Sequence, residues 1–123
     1  MPMLLYIAST LVFLIGIAHS VLGERFILVR LFRKNNLPHL YGSQWFTKQT
    51  LRFAWHITTL AWWGFAAILV HIASNDVIEK EFVLWVIAIV FSISGIVSLI
   101  YSKGKHFSWL VFFVIAVLTL ISL

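Results

Sequence analysis

The chain predicts an all-α integral membrane protein: a four-helix bundle running up-down-up-down, with both termini on the non-cytoplasmic side. Three observations carry that expectation. Of 123 residues, 62% are hydrophobic and 11% charged, against roughly 45–50% apolar in an ordinary soluble domain. The apolar residues fall in four runs, each near the ~20 residues that cross a bilayer. The segments between the runs alternate in charge. A soluble domain this small buries only part of the surface it exposes when unfolded, so it has nowhere to hide so much apolar area. The whole chain, 1–123, reads as a single membrane domain.

The first run, 3–23, has no charged residue. Its start, "MPMLLY", lacks the basic residues of a secretory leader, so it is expected to be a retained span. A basic segment, 24–50, follows: Arg25, Arg30, Arg33, Lys34 and Lys48 against Glu24 alone. In "RFILVRLFRKNN" the basic residues are interleaved with Phe26, Ile27, Leu28, Val29, Leu31 and Phe32. Two placements stay open: a helix lying on the inner membrane surface, or a cytoplasmic extension of span one. Either makes Arg25, Arg30, Arg33 and Lys34 candidates for lipid-headgroup contact. "NNLPHLYGSQ" reads as turn and loop, broken by Pro38 and Gly42. Thr47 is the expected N-cap of the second helix.

The second run is 51–73, and the loop after it, "SNDVIEKEF", sets Asp76, Glu79 and Glu81 against one lysine. The third run is 82–101, followed by the basic "SKGKHF". The fourth, 107–123, is only about 26 Å long at 1.5 Å per residue. It spans where the bilayer thins or its polar flank snorkels. Positive loops stay inside, so loops one and three are expected in the cytoplasm.

Small residues mark helix seams in lipid. Gly16, Ser20 and Gly23 fall within about 60° of one another at 100° per residue, and span three offers Ser94, Gly95 and Ser98, with Ser92 nearby. Trp55 reads as an interfacial anchor. Trp62 and Trp63 lie deeper, as filling for the bundle or a face toward lipid.

Depth then groups the ionisable residues. His19 and Glu24 sit at the inner end of span one, Arg52 at the mouth of span two, His56 one turn deeper, and His106 at the start of span four. Arg52 and His56, four apart, share a helical face. Ionisable groups in spans turn to the bundle interior, so His19, Glu24, Arg52 and His56 form the expected polar site. His19 and His56 face each other, and Glu24 meets Arg52 through paired hydrogen bonds. His19, His56 and His106 form a tentative metal set, since imidazole suits several divalent metals. No local ligand motif supports it. His71 lies 15 residues beyond His56, roughly 22 Å further out, and His39 falls in the loop.

With no cysteine in the chain, disulfides, thiolate metal sites, iron–sulfur clusters and cysteine catalysis are excluded. No nucleophilic triad is legible, and binding is expected rather than catalysis. The net charge of +5 lies beside apolar spans, which fits anionic lipid rather than nucleic acid.

The stretches "AHSVLGE" (residues 18–24), "LP" with "YGS", and "LRFAWH" (51–56) resemble a group of small four-span bacterial inner-membrane proteins carrying an AHSxLGE … LRFAWH pattern. The resemblance covers about the first 72 residues. It implies a multi-pass protein of the bacterial inner membrane and draws attention to His19, Glu24, Arg52 and His56; it implies no reaction.

Three functions stay open. The first is an inner-leaflet His/Glu/Arg site for a metal ion, a proton or an anionic headgroup. The second is a b-type haem electron carrier with His19 and His56 as axial ligands. The third is an accessory or scaffold subunit that packs against another membrane protein or a second copy of itself.

Overall fold

The computed structural model describes residues 2–123. It is a helical bundle: α1 (Pro2–Arg33), α2 (Trp45–Ser74), α3 (Lys80–Ser102) and α4 (Ser108–Ile121). The first three are long and apolar enough to cross a membrane; α4 is apolar but shorter. The helices pack as successive neighbours, α1 on α2, α2 on α3 and α3 on α4, with no comparable packing of α1 on α4 among the described residues. Tyr6 and Ser74 share a hydroxyl–hydroxyl bond of 2.8 Å, so the start of α1 lies beside the end of α2. Leu123 borders the same surface pocket as Glu79 and Glu81. Both ends of the chain therefore share the end of the bundle that carries the acidic loop.

The segment left between two placements continues α1. Its helix runs unbroken to Arg33, with a π-helical stretch at Gly23–Leu28. Leu28 and Phe32 are buried on this extension, because apolar positions four apart fall on one face. Arg25, Arg30, Arg33 and Lys34 are exposed around it.

The second helix begins at Trp45, six residues before the apolar run. Thr47 is not its N-cap: its hydroxyl donates to the Pro38 carbonyl at 2.8 Å, tying the loop down, while Ser43 Oγ accepts the Trp45 N–H at 3.3 Å. In the preceding turn Tyr41 and Gly42 have φ of 56° and 84°, and Leu40 and Ser43 pair across it. Two positive φ values in succession are those of a type I′ turn.

Each seam is built on small residues. On α1, Gly16 and Gly23 lie under the indoles of Trp63 and Trp55, so close that a Cβ on either would collide with the ring. Trp63 therefore packs across the seam rather than merely filling space. Between α2 and α3 Gly64 faces Val86 and Val90, and between α3 and α4 Gly95 faces Phe113. Ser94, Ser98 and Ser102 are fully buried. Ser98 and Ser108 hydroxyls bond at 2.6 Å, and Ser102 donates to the Ser98 carbonyl. Satisfied hydroxyls of this kind hold helices together where no hydrophobic force separates protein from lipid.

Candidate functional site

The α1–α2 seam carries a continuous polar chain at the end of the bundle opposite the acidic loop. Glu24 lies in the first turn of the π-helical stretch. Its Oε1 accepts from Arg52 Nη2 at 2.8 Å, and its Oε2 accepts from Arg52 Nε at 3.3 Å, the two-pronged geometry that suits guanidinium and carboxylate. The guanidinium also lies 5.0 Å from the centre of the Phe32 ring, so the continuation of α1 past Glu24 supplies part of the arginine's bed.

The same Oε2 takes a bond from His56 Nε2 at 3.1 Å. On the other side of the imidazole, Nδ1 meets Ser20 Oγ at 3.0 Å. Ser20 Oγ meets Thr59 Oγ1 at 2.6 Å, and Thr59 reaches the Gly16 carbonyl at 3.2 Å. The chain thus reads Arg52, Glu24, His56, Ser20, Thr59, Gly16, descending from the basic end into the apolar seam. Helical spacing makes it: Gly16, Ser20 and Glu24 are four apart on α1, and Arg52, His56 and Thr59 are four and three apart on α2.

Counting protons along this chain leaves few choices. A carboxylate held by an arginine accepts only, so His56 Nε2 carries a hydrogen. If Thr59 donates to Gly16, Ser20 donates to Thr59 and must accept from His56 Nδ1–H; the ring is then an imidazolium. If Thr59 donates to Ser20 instead, Ser20 donates to a bare Nδ1 and the ring is neutral. One proton at Nδ1 separates the two arrangements, and two hydroxyl rotations absorb the change.

His19 lies in the same seam but with different partners. Its ring stacks on Trp55 with centroids 4.5 Å apart and planes 1° from parallel, and Trp62 tilts against it at 4.9 Å. His19 Nε2–H donates to the Trp55 carbonyl at 3.2 Å, and Trp55 Nε1–H returns a bond to the His19 carbonyl at 2.8 Å. The expected meeting of the His19 and His56 imidazoles is thus replaced by two interleaved contacts: His19 with Trp55, and His56 with Ser20 and Glu24.

His106 lies at the expected end of the bundle but on another side of α2. Its ring packs against Phe46 and Phe53, and its Nδ1 accepts the Ser108 N–H at 3.2 Å at the start of α4. Phe53 follows Arg52 and points about 100° away from it, which separates His106 from the polar chain. Among the described residues no three histidine or acidic side chains gather as a metal site, so His19, His56 and His106 do not form the expected set. Both ring nitrogens of His56 are engaged within the chain. His71 is a loop fastener: buried, stacked on Phe82 at 4.0 Å, its Nε2 accepting the Glu79 N–H. His39 meets the Gln44 side chain in the loop.

The two hydroxyls were the functional groups missing from the sequence reading, which took Ser20 as a packing residue and passed over Thr59. Their signal was spacing: Ser20 stands four before Glu24, and Thr59 three after His56. A sizeable open groove lies elsewhere, toward the acidic end, lined by Ser9, Phe13, Trp63, Val70, His71 and Phe82. No family model, curated protein or solved structure matches this chain.

Proposed function

We propose that this chain is a multi-pass protein of the bacterial inner membrane, and that its α1–α2 seam is a proton-binding site at the cytoplasmic rim. The observation that carries the proposal is the unbroken chain from Arg52 through Glu24 and His56 to Ser20 and Thr59. Arg52 holds the Glu24 carboxylate in place through two contacts. Glu24 fixes the Nε2 side of the imidazole, which leaves Nδ1 as the atom that gains or loses the proton. Ser20 and Thr59 accept either state by rotation, with no rearrangement of the helices.

Charge supports the orientation. The basic loops and the extension of α1 share one end, and Asp76, Glu79 and Glu81 share the other with both chain ends; positive segments stay in the cytoplasm. At 32 residues α1 is about 48 Å long, well beyond the ~30 Å hydrocarbon core. Its last turns therefore project into the inner headgroup region, where Arg25, Arg30, Arg33 and Lys34 meet lipid phosphates. Arg25 and Arg30 lie over the exposed Phe26 ring, at 5.4 and 5.3 Å, as interfacial side chains do. The fourth helix, Ser108–Ile121, is about 21 Å long and spans with local thinning of the bilayer.

The test is proton uptake on acidification, followed with an indicator dye on the purified protein beside His56→Gln. Wild type is expected to take up one more proton per chain than the variant. Equal uptake by two folded proteins would remove the proposal.

A further inference from the structure

We propose a second site at the same end of the bundle, which takes the phosphate of an anionic glycerophospholipid between Lys103 and Lys105. It rests on the membrane reading given above but on none of the groups of the proton chain.

The turn after α3 builds it. Lys103 and Gly104 both adopt positive φ, 51° and 76°, and the Gly104 N–H closes the helix on the Leu99 carbonyl at 3.0 Å. Trp109 Nε1–H then donates to the Gly104 carbonyl at 3.2 Å, so the turn is held from both sides. Two successive left-handed residues bring the side chains of Lys103 and Lys105 back over one ring. Their Nζ atoms lie 5.2 and 5.5 Å from the centre of Trp45, and Lys105 is also 5.5 Å from Tyr41. Ser43, Trp45, Lys103 and Lys105 line a pocket of about 240 Å³. Ser43 Oγ accepts the Trp45 N–H, which leaves its own hydroxyl hydrogen to donate.

Two exposed ammonium groups beside one indole favour an anion between them, and the chain places no carboxylate there. It contains only four acidic residues. Asp76, Glu79 and Glu81 lie at the far end of α3, and Glu24 is engaged by Arg52 and His56. The counter-charge comes from outside. Cation–π contact orients each lysine, and the serine hydroxyl completes a three-donor cradle for phosphate oxygens. A lipid source fits the position: the site sits where α3 ends and α4 begins, and the neighbouring Tyr41 and Phe107 are 67% and 76% exposed, placed to enter the interface beside the headgroup.

The experiment is native mass spectrometry of detergent-extracted protein loaded from mixed phosphatidylglycerol–phosphatidylcholine micelles, with Lys103→Gln/Lys105→Gln beside a Lys80→Gln control at the opposite end. Wild type and control are expected to retain phosphatidylglycerol in preference to phosphatidylcholine. Two interfacial lysines are worth about 30-fold in that preference, and the double variant is expected to lose it. Retention unchanged in the double variant overturns the site. Displacement of the lipid by an equal concentration of inorganic phosphate overturns the lipid assignment in favour of a soluble anion. Recovery of wild type in the aqueous fraction without detergent would contradict the membrane reading itself, whereas a membrane-bound protein with lysine-independent retention contradicts only this inference.

Discussion

Gly23→Ala is expected to prise apart the helix pair that holds the proton chain. A Cβ at Gly23 would stand 2.1 Å from Trp55 Nε1, 2.4 Å from Cε2 and 2.6 Å from Cζ2. Ordinary contact begins near 3.4 Å, so the indole must retreat by about 1.3 Å. The ring is held on two sides. One face is stacked on His19 at 4.5 Å, and Nε1–H is bonded to the His19 carbonyl at 2.8 Å. Retreat from α1 carries that bond past its useful range. Overpacking costs about 1–3 kcal/mol and the lost hydrogen bond about 1 kcal/mol more, so the substitution should destabilise by roughly 2–4 kcal/mol. Unfolding in mixed micelles by added dodecyl sulfate measures it. In a Trp55→Phe background, where the smaller ring clears the new methyl, the same substitution should cost about 1 kcal/mol or less, the coupling expected of residues in contact. A Gly23→Ala protein as stable as wild type, or a penalty undiminished beside Phe at 55, would refute the packing described for this seam.

Other outcomes follow from the same structure. Glu24→Gln leaves Arg52 without its ion pair at a site about one-third exposed; discounting the 3–5 kcal/mol of a fully buried pair for that exposure gives a loss of about 1–2 kcal/mol. Adding Arg52→Gln should recover part of it in the same unfolding assay. Ser98→Val removes the 2.6 Å bond to Ser108 at a fully buried position and should cost about 1–2 kcal/mol. For topology, the absence of native cysteine allows single-cysteine labelling. A cysteine at Asn36 should react only after the inner face is exposed and one at Asp76 from outside; the reverse pattern would invert the orientation.

How much of this was legible depends on what each feature rests on. Periodicity and hydropathy report apolar surface, so the four helices and the Gly16–Ser20–Gly23 seam could be read directly. The Glu24–Arg52 pair could be read too, since two opposite charges at one depth in an apolar chain have few other partners. Helix ends were harder. Residues 24–33 mix charged with apolar side chains and 45–50 are mostly polar, yet both are helical, and hydropathy does not distinguish a helical extension of mixed polarity from a loop. Azimuth was hardest. His106 has the expected depth yet faces Phe46 and Phe53, and His19 turns its ring onto Trp55, because packing against aromatic rings sets directions that helical rotation alone does not describe. Ser20 and Thr59 were hidden for a different reason. Small hydroxyl residues serve packing and hydrogen bonding alike, and only the coordinates show that these two continue a chain of polar groups.

The proton site is tested most directly by the tautomer of His56, read from the ring-nitrogen resonances of ¹⁵N-histidine-labelled protein in lipid and assigned with His56→Gln. The neutral ring is predicted to carry its hydrogen on Nε2, toward Glu24, with Nδ1 bare and hydrogen-bonded to Ser20; acidification is predicted to protonate Nδ1 alone. A neutral ring protonated on Nδ1, or a ring state indifferent to acidification, would contradict the account.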